Sequence, residues 1–144
     1  MVHQAEKKKK IYMHLNEADG PVFKIKNDPR YTKIGKIISR LGLDELPQLI
    51  NIIKGEMRFI GPRPLPVKEA RQILPKYEKR FSVLPGITSL WVVTGGHSLS
   101  FKEWMELDIF YVKHKSLILD IVIITRTVVV FFRLVLKILH SQIP

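Results

Sequence analysis

The feature that most restricts the fold is the stretch from Leu117 to Leu139, almost wholly aliphatic yet cut by Asp120, Arg126, Arg133 and Lys137 into short charge-free runs. A membrane-spanning helix needs about 20 apolar residues with few charges, so this stretch is not expected to span. Arg126, Arg133, Lys137 and His140 fall on one narrow helical stripe, while aliphatic and aromatic side chains cover the remainder. The spacing predicts an amphipathic helix over about 117–140 lying in a membrane interface. A buried core helix with one wet edge, or a strand at Val128–Val130, are the competing readings. A formal net charge of +11 tips the balance towards an anionic membrane surface.

The rest of the chain is long enough, at 144 residues with 46% hydrophobic, to bury a core and fold as one domain. With no cysteine, disulfide scaffolds, thiolate zinc sites and cysteine nucleophiles are excluded. The excess of 24 Lys+Arg over 13 Asp+Glu predicts an anionic partner. No nucleic-acid-binding motif accompanies that charge, so nucleic acid is not the expected partner. The basic run Lys7–Lys10 is followed by only Ile11, Tyr12 and Met13 before His14, which is no secretory signal, and the chain is expected on the cytoplasmic side. Residues 1–17 form a basic N-terminal segment and residues 18–144 the domain proper.

Ile34, Ile37, Ile38 and Leu41 recur at helical spacing and predict a helix over 31–41, ended by Gly42. Leu43, Leu46, Leu49, Ile50 and Ile53 form a second stripe, with Asp44 as N-cap, Glu45 and Pro47 in the first turn, and Gly55 as the stop. Ser100-Phe101-Lys102-Glu103 has capping-box spacing and starts a helix running to about His114. Short strands are expected at 22–25, 57–60 and 89–93, separated by Gly61-Pro62, Pro64 and Pro85-Gly86 turns. The fold class is therefore α+β and mostly helical, with short strands and a C-terminal interfacial helix.

Two places carry chemistry. Asp44 and Glu45 open a helix, where backbone N–H groups favour negative charge by up to about 1 kcal/mol. An ionised aspartate there can serve as a nucleophile, and adjacent carboxylates suit a magnesium ion that keeps waters and substrate phosphates. A plain helix cap is the alternative. In Gly61-Pro62-Arg63-Pro64, two prolines fix the backbone on both sides of a guanidinium able to grip phosphate bidentately; a loop with one exposed arginine is the alternative.

Leu43-Asp44-Glu45-Leu46-Pro47-Gln48-Leu49, Ile53-Lys54-Gly55-Glu56-Met57, Gly61-Pro62-Arg63-Pro64 and Pro85-Gly86-Ile87-Thr88 resemble, in order and spacing, the bacterial sugar transferases, the monotopic polyprenyl-phosphate phosphoglycosyl transferases. Gly20-Pro21-Val22-Phe23-Lys24-Ile25-Lys26 and Asp28-Pro29-Arg30 before them, and Leu99-Ser100-Phe101, Leu107-Asp108, Tyr111-Val112 and Ser116-Leu117 after them, extend the resemblance over roughly residues 18–125. It implies transfer of a sugar-1-phosphate from a UDP-sugar donor to polyprenyl phosphate at the cytoplasmic face of the bacterial inner membrane, starting exopolysaccharide, capsule or O-antigen assembly. By that resemblance Asp44 is the nucleophile, Glu45 helps to hold Mg²⁺, and Arg63 clamps phosphate. Pro62, Arg40, Lys54, His97 and Asp108 join the candidate substrate-binding residues.

The sequence also departs from the family. Met1–Glu6 resembles the segment that comes directly after the family's membrane-dipping helix and basic stretch, so the chain is expected to lack that front portion. Val92-Val93-Thr94-Gly95-Gly96-His97 stands where Gln-Val-x-Gly-Arg is usual, removing an arginine expected at the nucleotide, and Ser39 replaces a second basic residue before Arg40. His97 is either a substitute phosphate or base contact or a solvated loop histidine. The rival to an active transferase is a catalytically silent relative that binds a membrane surface or partner.

Overall fold

Thr32 opens helix α1 (Lys33–Arg40) by accepting the Gly35 N–H on its side chain at 3.0 Å. Gly42, at φ 68°, supplies the left-handed residue that ends it. The structure, a computed structural model, describes residues 5, 9–23, 25 and 28–140, without the side chains of Arg40, His97 and Leu139. The expected continuous helix from Asp44 is divided into a 3₁₀ turn, Leu43–Glu45, and helix α2 (Gln48–Ile53). Pro47 explains the division: it has no N–H to return to the Leu43 carbonyl, which instead accepts from Leu46 N at 3.3 Å. Asp44 therefore sits inside the turn and caps nothing, which corrects its assignment as an N-cap.

Strands β1 (Arg58–Ile60) and β2 (Gly86–Thr88) pair in parallel, with Arg58 opposite Gly86 and Ile60 opposite Thr88. Their connection carries the short helix α3 (Val67–Ala70) and a 3₁₀ segment, Pro75–Ser82. The strand expected at 57–60 is present. The one expected at 89–93 is instead helix α4 (Leu90–Thr94), started by Ser89, whose hydroxyl accepts from Val92 N at 3.4 Å. Residues 22, 23 and 25 are not in a strand, and Lys24 lies outside the described residues. Helix α5 (Phe101–His114) opens on the expected capping box, whose Ser100 hydrogen bonds hold the Glu103 carboxyl below its usual range. Helix α6 (Leu117–His140) has the expected extent, and the architecture is α+β and mostly helical.

The core centres on Trp91 and Trp104, stacked with centroids 5.0 Å apart and packed with Ile73, Tyr77 and Met105. A second cluster, Ile60, Tyr111 and Ile123, joins β1, α5 and α6. The Tyr111 hydroxyl donates to Asp120 at 2.8 Å, and the Thr88 and Thr127 hydroxyls meet at 2.7 Å. These contacts fix one face of α6 to the domain. Leu117 and Ile118 are each 76% exposed on its free face, and no helix among the described residues is long and apolar enough to cross a membrane.

The sheet is joined tightly at its ends. Gly61 N donates to Thr88 O at 3.1 Å and Gly86 N to Pro62 O at 3.0 Å. A Cβ on Gly86 would lie 2.1 Å from Gly61 N, against backbone that has nowhere to move. Gly86→Ala is therefore expected to cost about 3 kcal/mol or more in urea-denaturation stability, and a near-neutral result would contradict this packing.

Candidate active site

The strand pairing carries the Gly61–Pro64 loop beside the turn between α1 and α2. Glu45 Oε1 pairs with Arg63 Nη1 at 2.7 Å, both side chains partly exposed. The Arg63 guanidinium also lies over the Trp91 ring, 5.5 Å from its centroid, so its lower face is apolar and its edge faces the turn. Asp44 is exposed, and among the described residues no ion pair or hydrogen bond engages its carboxylate. An uncommitted carboxylate thus adjoins a neutralised carboxylate–guanidinium pair. This arrangement can present a nucleophilic oxygen next to a site for phosphate.

The Arg63 loop is anchored from beneath. Arg80, in the 3₁₀ segment Pro75–Ser82, is 2% exposed and donates through Nη2 to the Arg63 carbonyl at 2.8 Å. The same guanidinium donates to Asp108 Oδ2 from Nη2 at 2.7 Å and from Nε at 3.0 Å. Asp108, on α5, is 1% exposed. The structure therefore corrects the expectation of Asp108 as a substrate contact: its carboxylate is enclosed, and it reaches the site only through Arg80. Pro62 is likewise buried, its carbonyl taken by Gly86 N, and is not positioned to touch a substrate. Lys54 is exposed at the far end of α2 from Asp44 and is not brought into the cluster. The side chains of Arg40 and His97 lie outside the described residues; their backbones end α1 and occupy the 3₁₀ turn Gly96–Ser98.

Three contributors escaped sequence reading. Arg80 is separated from Asp108 by 28 positions, and Trp91 from Arg63 by a whole crossover, so no local periodicity announces either contact. The third is Gln48, whose buried Oε1 has no hydrogen-bond partner among the described residues. Only its place in Leu-Pro-Gln-Leu, directly after the site's proline, pointed to it.

Two side chains at the site carry oxygen donors of the kind magnesium uses. Glu45 and Gln48 offer hard oxygens, while among the described residues no group of three His, Cys, Asp or Glu side chains forms a closed cage. Magnesium characteristically binds one or two protein oxygens and completes its shell with water and phosphate.

Burial pushes the Asp108 carboxyl up from 3.8 to about 6, with Arg80 opposing the shift. Asp108→Asn removes the carboxylate that accepts both hydrogen bonds from Arg80. At pH 7 that variant leaves the Arg80 charge buried alone, at a cost of about 3–5 kcal/mol. Arg80→Leu/Asp108→Leu is expected to recover much of this stability without restoring the Arg63 anchor. Equal stability for the single and double variants would show that the buried charge is not the cause.

The sequence profile described as "Bacterial sugar transferase" matches residues 1–134. The chain is 41% identical over 124 residues to the "Galactosyl transferase CpsE" of Streptococcus agalactiae serotype III, covering 85% of this chain and 28% of that protein. It is 43% identical over 106 residues to the "UDP-galactose-lipid carrier transferase" of Erwinia amylovora, covering 74% and 22% respectively. It is 40% identical over 111 residues to the "Undecaprenyl-phosphate galactose phosphotransferase" of Salmonella typhimurium, covering 77% and 23%. The chain thus spans less than a third of the length of each of these relatives.

Proposed function

The chain belongs to the bacterial sugar transferase family, and on that footing we propose that it transfers a sugar-1-phosphate from a UDP-sugar to polyprenyl phosphate through Asp44. The observation that carries this reading is the exposed Asp44 carboxylate, unpaired among the described residues, beside the Glu45–Arg63 pair. In the first step an Asp44 oxygen attacks the phosphorus bearing the sugar; the new O–P bond forms as the bond to the bridging oxygen breaks, and UMP leaves with that electron pair. In the second, a polyprenyl phosphate oxygen attacks the same phosphorus, the acyl-phosphate bond breaks, and the Asp44 carboxylate is regenerated. Splitting the exchange avoids bringing two bulky anions together in one transition state.

Arg63 binds the phosphate oxygens and holds them in line, its own position fixed by the Arg80 hydrogen bond and the Trp91 ring. Mg²⁺, where bound, would be held by Glu45 and Gln48 and would neutralise charge on the phosphates. The relatives' names support lipid-linked galactose chemistry; the sugar itself is set by pocket contacts rather than by these motifs.

We place the site at the cytoplasmic face of the bacterial inner membrane. In support of contact with a membrane, α1, the 3₁₀ turn and α2 leave Ile34, Leu46 and Ile53 exposed at 72%, 54% and 86%, and α6 leaves a second apolar face open. Exposed apolar surface on this scale marks a contact surface, and the turn holding Asp44 is flanked by it on both sides.

The test is UMP release from UDP-sugars with Mg²⁺ and polyprenyl phosphate in nanodiscs. Asp44→Asn is expected to lower the rate by at least about a thousandfold, and Arg63→Lys to raise KM by about tenfold or more as the bidentate grip is lost. Release that is unchanged in Asp44→Asn rules out the aspartyl route. No release from the folded native chain favours the silent, membrane-binding alternative.

A further inference from the structure

A groove of about 260 Å³ runs along the seam between α4 and α6, lined by Val93, Thr125, Arg126, Val129, Val130 and Arg133. Its floor is aliphatic. Its two charged groups are both guanidinium, and among the described residues no carboxylate pairs with either. The nearest acid on the helix, Asp120, is held by the Tyr111 hydroxyl, and the Thr125 hydroxyl spends its proton on the Ile121 carbonyl. Two unpaired cations over an apolar floor lack an anion that carries hydrocarbon.

We propose that this groove seats the phosphate headgroup of an anionic phospholipid, gripped between Arg126 and Arg133, with its acyl chains leaving across Val129 onto the exposed face of α6. The inference rests on the membrane-surface reading above and adds a defined lipid site to it. Arg126 and Arg133 lie seven residues apart, about 10 Å along the helix axis, a separation that two long side chains close from either side of one phosphate. Each guanidinium offers a planar fork matched to phosphate oxygens, and its aliphatic stem lies along apolar surface. Val129, 43% exposed, makes the groove continuous with the open aliphatic face that includes Val122 and Val128. Charge and shape therefore both favour a lipid-borne phosphate over a free anion or a protein helix.

The experiment is co-sedimentation of the full chain with phosphatidylcholine vesicles, with and without phosphatidylglycerol. The native chain is expected to bind the anionic vesicles more tightly, and Arg126→Gln/Arg133→Gln to lose that gain by about tenfold or more. A charge-matched control on the body, Lys68→Gln/Lys79→Gln, is expected to lose less than about threefold, because its charges lie off the seam. Arg126→Lys/Arg133→Lys is expected to recover only part of the binding. Equal losses in the two Gln pairs, or full recovery with Lys, would reduce the effect to net charge and overturn the site. The same arginine dependence seen with polyprenyl phosphate in neutral vesicles but not with phosphatidylglycerol would assign the groove to the acceptor instead. Arginine-dependent binding of inorganic phosphate alone, at equal affinity, would make it a free-anion site. Native chain that sediments with neither vesicle removes the membrane-surface reading itself. Native binding unchanged in the double Gln variant removes this inference only.

Discussion

Everything at the candidate site hangs on one buried ion pair. Arg80 and Asp108 are 2% and 1% exposed, and taking two such charges from water costs more than their attraction returns unless their hydrogen bonds are completed. Two guanidinium nitrogens reach one Asp108 oxygen, and the same Nη2 serves the Arg63 carbonyl. The pair therefore binds three things at once: the 3₁₀ segment that supplies Arg80, the α5 helix that supplies Asp108, and the loop that displays Arg63. A hydrophobic pair in its place could hold the first two together. It could not fix the loop carbonyl, so the polar solution is tied to the geometry above it.

Above that anchor the chain spends little of its apolar surface on itself. Met105 and Ile123 are completely enclosed while Ile53 stays 86% exposed. The division follows the helices: α5 turns its aromatic face to the core, but α1, α2 and the outer side of α6 keep theirs open. Such a molecule is stabilised in water by a small aromatic centre and by tertiary hydrogen bonds such as those of Arg80 with Asp108 and of Thr88 with Thr127. Its remaining hydrophobic side chains stay exposed, as the proposed membrane-surface role requires. Interfacial helices have this distribution, because burying both faces would leave nothing to enter the lipid.

The parts legible in the sequence were those coded locally. The Ser100–Glu103 box fixed the start of α5, and the apolar run with its basic stripe fixed α6 to within its ends. Where neighbours compete, local reading failed. Val92 and Val93 are good strand formers, yet Ser89 caps a helix there because Trp91 must reach Trp104 across the core. Pro85-Gly86 read as a turn, yet Gly86 opens a strand because Gly61 and Gly86, neither with a side chain, let the two backbones close on each other. At the site, the motifs identified Asp44, Glu45 and Arg63 but not their support: Asp108 read as a surface ligand because an aspartate near the end of a motif does not reveal a distant arginine.

The Glu45–Arg63 pair shows why the site can be both assembled and receptive. Both side chains are partly in water, and an ion pair in that setting is worth roughly 1 kcal/mol or less. It is enough to hold Arg63 over Trp91 and to keep an isolated cation from collapsing onto Asp44. It is too weak to compete with a diphosphate, which carries more charge and fits the guanidinium fork with two hydrogen bonds. Under the proposed reaction, phosphate would replace Glu45 on Arg63 at little cost, freeing the Glu45 carboxylate while the Arg80 anchor keeps the loop where it was. A stronger, buried pair at this position would have closed the site. The strong pair lies one layer down, where it sets position, and the weak one lies at the surface, where it can be exchanged.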